Sequence, residues 1–287
     1  MNFYLDYNIY IYALSDESIA QVVECLKKKS VQFFYSPAHV EEVYKAFVEE
    51  GKNYLENKEK ILCQISKFTN NMEYLPSTAG IKIEKESPFE CYKRVAGIDT
   101  TQRIEFDGKE KYQIDKIYYK QLCDKDKTYK NMSNVEFDKI WDYDDIVNTI
   151  SQCNNNMQEI VKKYNSSCEK LFFKLLGIDR DLPEDLEIYQ GMYSEIKNCH
   201  KVLEFVIEIL FRMLNMYGYN AEKKEDTTIS GIHDVSHAIY ATQADKLFTV
   251  DKRFASKCKA IYHFLGVDTE VILCPQKEIS KILQTHI

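Results

Sequence analysis

The sequence predicts an α/β fold with a central, mostly parallel sheet, interrupted by a long and mainly helical insertion. Three observations predict it. Short apolar runs near both ends of the chain alternate with amphipathic helical stretches, the pattern of βα units. Two of those runs stop at an aspartate, Asp6 and Asp251. From about residue 52 to 225 the composition shifts to Lys, Glu, Asn and Tyr with helical periodicity.

The first run is Phe3-Tyr4-Leu5, ending at Asp6, and Asn8 is placed to cap a helix through Ile9, Ile11 and Leu14. A second strand is expected over residues 31–35. Ser36-Pro37 then reads as a helix start, with a hydroxyl cap and a proline at the first helical position. Val40, Val43, Tyr44, Phe47 and Val48 follow at spacings of three and four, one apolar helical face. Glu41 and Glu42 sit in its early turns. Within the insertion, residues 137–176 and 186–217 read as long helices, and residues 81–107 as a hairpin or loop. The acids Asp142, Asp144 and Asp145 lack the glycine and spacing of a calcium loop and read as a solvated face. Near the end, residues 232–244 predict a helix with Asp234 in its first turn. Residues 246–250 predict a strand, Phe254 and Ala255 open another helix, and residues 270–273 and 276–283 give a last strand and helix.

The chain of 287 residues suits one core domain with a large elaboration. Its 38 basic and 45 acidic residues leave a net charge of −7. An acidic chain binds nucleic acid poorly by charge alone, although bound divalent cations offset this locally. The nine cysteines form no C-x-x-C pair, which argues against a structural zinc knuckle. Their odd count and the lack of a legible signal peptide predict reduced thiols and a cytoplasmic setting. No apolar run approaches the roughly 18 residues of a membrane helix, so no membrane partner is expected.

Strand, acid, helix, acid, helix, acid, strand, acid is the order in which Asp6, Glu41 or Glu42, Asp234 and Asp251 arrive. The opening Asp6-Tyr7-Asn8 resembles the strand-one D-x-N element of the PIN-domain nucleases. Asp234-Val235-Ser236-His237-Ala238 resembles that family's D-x-x-x-A helix. The run from Ala244-Asp245 through Thr249 and Asp251 to Phe254 resembles its A-D-x-x-x-T-x-D-x-x-F strand end. Ser36 followed by Glu42-Val43 is similar to the family's serine-to-glutamate element, a spacing that favours Glu42 over Glu41. The resemblance covers residues 1–50 and 226–287. It implies a discontinuous three-layer α/β/α domain over 1–51 and 226–287, with residues 52–225 as an insertion partly packed on it.

The resemblance also implies a Mg2+- or Mn2+-dependent endonuclease, with RNA favoured over DNA as the substrate. Asp6 and Asp251 would hold metal directly, and Glu42 and Asp234 would complete or bridge the site. Asn8, Thr249, Ser36 and His237 would orient carboxylates or water. The physics agrees with that grouping: clustered carboxylates repel, and hard cations want oxygen ligands. Lys252 and Arg253 are candidates to meet phosphate, and Asp245 resembles a structural acid. The insertion offers a surface for a homodimer or a protein partner.

Two other readings stand beside this one. His233 and His237 have the H-x-x-x-H spacing of a zinc hydrolase, but Asp234 follows where a protease carries Glu, and neither His263 nor His286 has a fitting context for a third ligand. The second is a PIN-fold binding or regulatory module with little activity, which the net acidity and the insertion allow.

Overall fold

The computed structural model describes residues 1–50, 55–96, 186–216, 219–220 and 228–286. The helix expected over 137–176 and the acids at 142–145 lie outside them. In chain order the elements are β1 (Asn2–Leu5), α1 (Tyr7–Ala13), α2 (Glu17–Lys28), β2 (Gln32–Phe34), α3 (Pro37–Glu50) and α4 (Leu55–Thr69). A hairpin follows, β3 (Met72–Ser77) and β4 (Gly80–Lys85), and then α5 (Pro88–Val95). The rest is α6 (Tyr193–Ile196), α7 (His200–Met216), α8 (Thr228–Ala241), β5 (Lys246–Thr249), α9 (Lys252–Leu265), β6 (Glu270–Leu273), a 3-10 turn (Gln276–Glu278) and α10 (Ile279–Gln284).

Four strands form one parallel sheet in the order β2-β1-β5-β6. The expected α/β class with a mostly parallel central sheet is therefore present. The two ends of the chain meet at its centre, where Phe3, Tyr4 and Leu5 pair with Lys246, Leu247 and Phe248. Side chains alternate across a strand. Accordingly Phe3 and Leu5 join one apolar core with α1, α2 and α4, while Tyr4 joins the other with α7, α8 and α9. Both faces of the sheet are thus buried, which is why its strands read as continuous apolar runs. Within the stretch 52–225, α7 contributes Leu203, Val206, Leu210 and Met213 to the second core.

Several boundaries differ from expectation for identifiable reasons. Asp6, not Asn8, occupies the N-cap of α1, and its side chain makes no capping bond there. The antiparallel hairpin lies at residues 72–85, earlier than expected. Pro76 weakens the strand signal of β3, and Gly80 supplies the turn with φ +99°. A bridge between Tyr35 and Glu73 ties the hairpin to the end of β2. Helix α8 begins at Thr228, so Asp234 lies well inside it and not in its first turn. Gly231 lies inside this helix although glycine disfavours helix interiors. Residues 186–217 are not one helix but α6 and α7.

Candidate functional site

Parallel strands align their carboxyl ends, and loops leaving those ends gather side chains from distant parts of the sequence. Asp6 leaves β1 and Asp251 follows β5, its neighbour in the sheet. The link between them is Thr249. Its buried hydroxyl donates to Asp6 Oδ2 at 2.7 Å and accepts the Asp251 N–H at 3.0 Å. The Asp6 N–H in turn reaches the Phe248 carbonyl at 2.8 Å, extending the β1–β5 ladder by one bond. Asp251 caps α9, its Oδ1 accepting the N–H groups of Arg253 and Phe254 at 2.7 and 3.0 Å.

The acids feel one another. Burial pushes Asp6 up to about 6, and Asp251 adds repulsion. The Thr249 hydroxyl, the Tyr7 backbone and the Asn8 side chain pull it partway back. Glu42, on α3, is raised well above the usual carboxylate range by burial, and then by Asp6 and Asp234, with Lys45 offsetting in part. Burial likewise raises the Cys258 thiol on α9, with added repulsion from Asp234, Asp6 and Asp251. Each of the four acids thus acts electrostatically on at least one of the others.

Glu41 and Glu42 separate clearly. Glu42 interacts with Asp6 and Asp234, and its side chain is 17% exposed. Glu41 is 39% exposed, with its Oε2 3.8 Å from His233 Nδ1. His237 is buried; its Nε2 stands 3.8 Å from Glu42 Oε1, and its Nδ1 is 2.7 Å from the Tyr4 hydroxyl. The Ser36 hydroxyl lies 2.6 Å from the Tyr4 hydroxyl, and Tyr4 in turn contacts His237. Lys252 is exposed and Arg253 half-buried at the start of α9. Asp245 accepts the Asn2 N–H at 2.7 Å where β5 begins, at the opposite end of the sheet. His263 is exposed on α9, and the His286 ring packs edge-on against Phe3 and Phe248.

Sequence reasoning passed over Tyr4, His39 and Lys45. Lys45 was findable, one helical turn beyond Glu42. The other two carried no local signal, because their partners lie far away in the chain.

Oxygen donors in this number suit a hard divalent cation. The fit is loose as drawn: among the described residues, the group offering three ligand atoms within 4.8 Å of one another is Glu73, Glu86 and Cys91, not these four acids. That second group already holds a cation. Arg94 Nη2 lies 2.8 Å from Glu73 Oε1 and 2.6 Å from Glu86 Oε2. Among the described residues no helix is long and apolar enough to cross a membrane, and Cys25, Cys63, Cys91, Cys199, Cys258 and Cys274 are free thiols. No family model, curated protein or solved structure matches the chain.

Proposed function

We propose that this chain is a divalent-metal-dependent nuclease of the PIN-like, three-layer α/β/α kind, hydrolysing phosphodiester bonds. The observation that carries the reading is the convergence of Asp6, Glu42, Asp234 and Asp251 from four separate segments into one electrostatically coupled set. Buried acids raised by mutual repulsion are the groups a bound cation would stabilise.

Asp6 and Asp251 are the residues best placed to hold the ion. Thr249 fixes one oxygen of Asp6 and the backbone of Asp251, and the α9 N–H groups hold Asp251 Oδ1. Glu42 and Asp234 complete the oxygen set. A bound Mg2+ or Mn2+ supplies Lewis acidity and a more acidic water. Lys45, Lys252 and Arg253 are the basic groups nearest in sequence or charge to meet a phosphate. RNA is favoured over DNA by the family resemblance alone.

A second reading, a binding or regulatory module on this fold, draws on the loose spacing of the acids and on the net charge of −7. The two part on one assay. Wild type, Asp6→Asn and Asp234→Asn are incubated with single-stranded RNA and DNA, each with Mg2+ and Mn2+. Metal-dependent cleavage by wild type that both variants lose supports the enzyme. Equal background from all three contradicts it.

A further inference from the structure

Next to Glu42 lies a buried polar row of Ser36, Tyr4, His39 and His237 that metal ligation does not use. Its protons can be counted. The Leu5 carbonyl only accepts, so His39 Nε2, 2.7 Å away, carries hydrogen. The Ser36 N–H donates to His39 Nδ1 at 3.1 Å, so that nitrogen presents its lone pair. Two hydroxyl protons remain, one on Ser36 and one on Tyr4.

If Ser36 donates to the Tyr4 oxygen at 2.6 Å, Tyr4 donates to His237 Nδ1 at 2.7 Å. Both hydroxyl protons then have a close acceptor, and His237 keeps its own proton on Nε2. The reverse order sends the His237 Nδ1 proton to Tyr4 and the Tyr4 proton to Ser36. Ser36 is then left with His39 Nδ1 at 3.4 Å, already occupied by the Ser36 N–H.

His237 Nε2 is buried and makes no hydrogen bond, and Glu42 Oε1 stands 3.8 Å from it. That separation is an electrostatic contact, longer than a hydrogen bond. We propose that His237 is a positioning residue for Glu42: the Tyr4 hydroxyl holds it as the Nε2–H tautomer, and that proton is offered to the Glu42 carboxylate. The tautomer stands on geometry alone, and its consequence for metal binding rests on the nuclease reading above. Groups that orient ligands in this way commonly change metal affinity 10–100-fold when removed.

The test has two arms. Long-range 1H–15N correlation spectra of 15N-histidine-labelled protein at neutral pH should show His237, assigned by its loss in His237→Gln, as the Nε2–H tautomer. Tyr4→Phe should abolish that preference. An Nδ1–H tautomer in wild type overturns the proposal. In the second arm, Mn2+ affinity should fall roughly tenfold or more in His237→Ala and recover in His237→Gln, whose amide also presents an N–H. An unchanged affinity in folded His237→Ala overturns the positioning role. A wild type that binds no Mn2+ sinks the nuclease reading instead, and the spectrum alone then decides the tautomer.

Discussion

Two regions of this molecule bury carboxylates, and they solve the resulting problem differently. At the hairpin, Glu73 is fully buried, but Arg94 lies against it and against Glu86, so the fold supplies its own cation. At the carboxyl ends of β1 and β5, acids press on acids, and Lys45 offsets Glu42 only in part. A charge removed from water must be paired or neutralised. The first region is paired from within, and on the reading proposed here the second would be paired by a cation from outside. The contrast teaches that the tightest cluster of ligand atoms is not by itself the best candidate for metal.

The largest effect expected from breaking this contrast is on cleavage. Asp6→Asn keeps an oxygen for Thr249 to bond but removes the charge, and should reduce metal-dependent hydrolysis by at least about 100-fold. Gel assays of labelled RNA read this directly. If Arg94→Ala lowered cleavage as much as Asp6→Asn, the roles assigned to the two regions would be reversed.

Next comes the hairpin. Arg94→Ala leaves Glu73 buried without its guanidinium. The guanidinium is 41% exposed, so solvent screening limits the cost to roughly 1–2 kcal/mol at pH 8. Urea unfolding should show that cost fading by pH 5, where Glu73 is protonated. A loss of equal size at both pH values would mean that packing, not charge, holds Arg94 in place.

The pH dependence of wild type sharpens the same point. Burial, and then its contact with Glu86, raise Glu73 from an ordinary 4.5 to about 7. A carboxyl raised on folding favours the folded state fully below its unfolded value, and that contribution is lost as pH rises through the folded one. Stability from this group should therefore fall between pH 4.5 and 7, by roughly 1–3 kcal/mol. Glu73→Gln should flatten that slope, as followed by thermal melts across the range. A slope unchanged in the variant would assign it to other groups.

The smallest effect is at the acids themselves, without metal. Asp6→Asn removes one repelling buried charge and should raise metal-free stability by roughly 0.5–1 kcal/mol. A variant that melts lower than wild type in chelator would mean that the repulsion is already relieved.

How much of this was legible depended on how local the signal was. The four parallel strands announced themselves as short apolar runs, because a sheet covered on both faces needs no polar alternation. Ser36-Pro37 marked the start of α3 through the proline at its first position, while the Ser36 hydroxyl turns to Tyr4 and not to the helix backbone. The hairpin was expected too late in the chain because Pro76 stands inside β3, where pairing with β4 overrides the local preference. Helix α8 begins ahead of its expected start, with Gly231 inside it and the helix packed on α3 and α7. At the candidate site, the order of the acids along the chain could be read, while Glu42 was preferred to Glu41 only by its spacing from Ser36. The row from Ser36 through Tyr4 to His237 could not, since Tyr4 and His237 are joined only by the fold.

The most direct test of the coupled acids is calorimetric titration of Mn2+ into metal-free wild type, Asp6→Asn and Asp251→Asn. The account predicts saturable binding by wild type that weakens at least about tenfold in each variant. Binding that is absent from wild type, or equally strong in all three proteins, would contradict it.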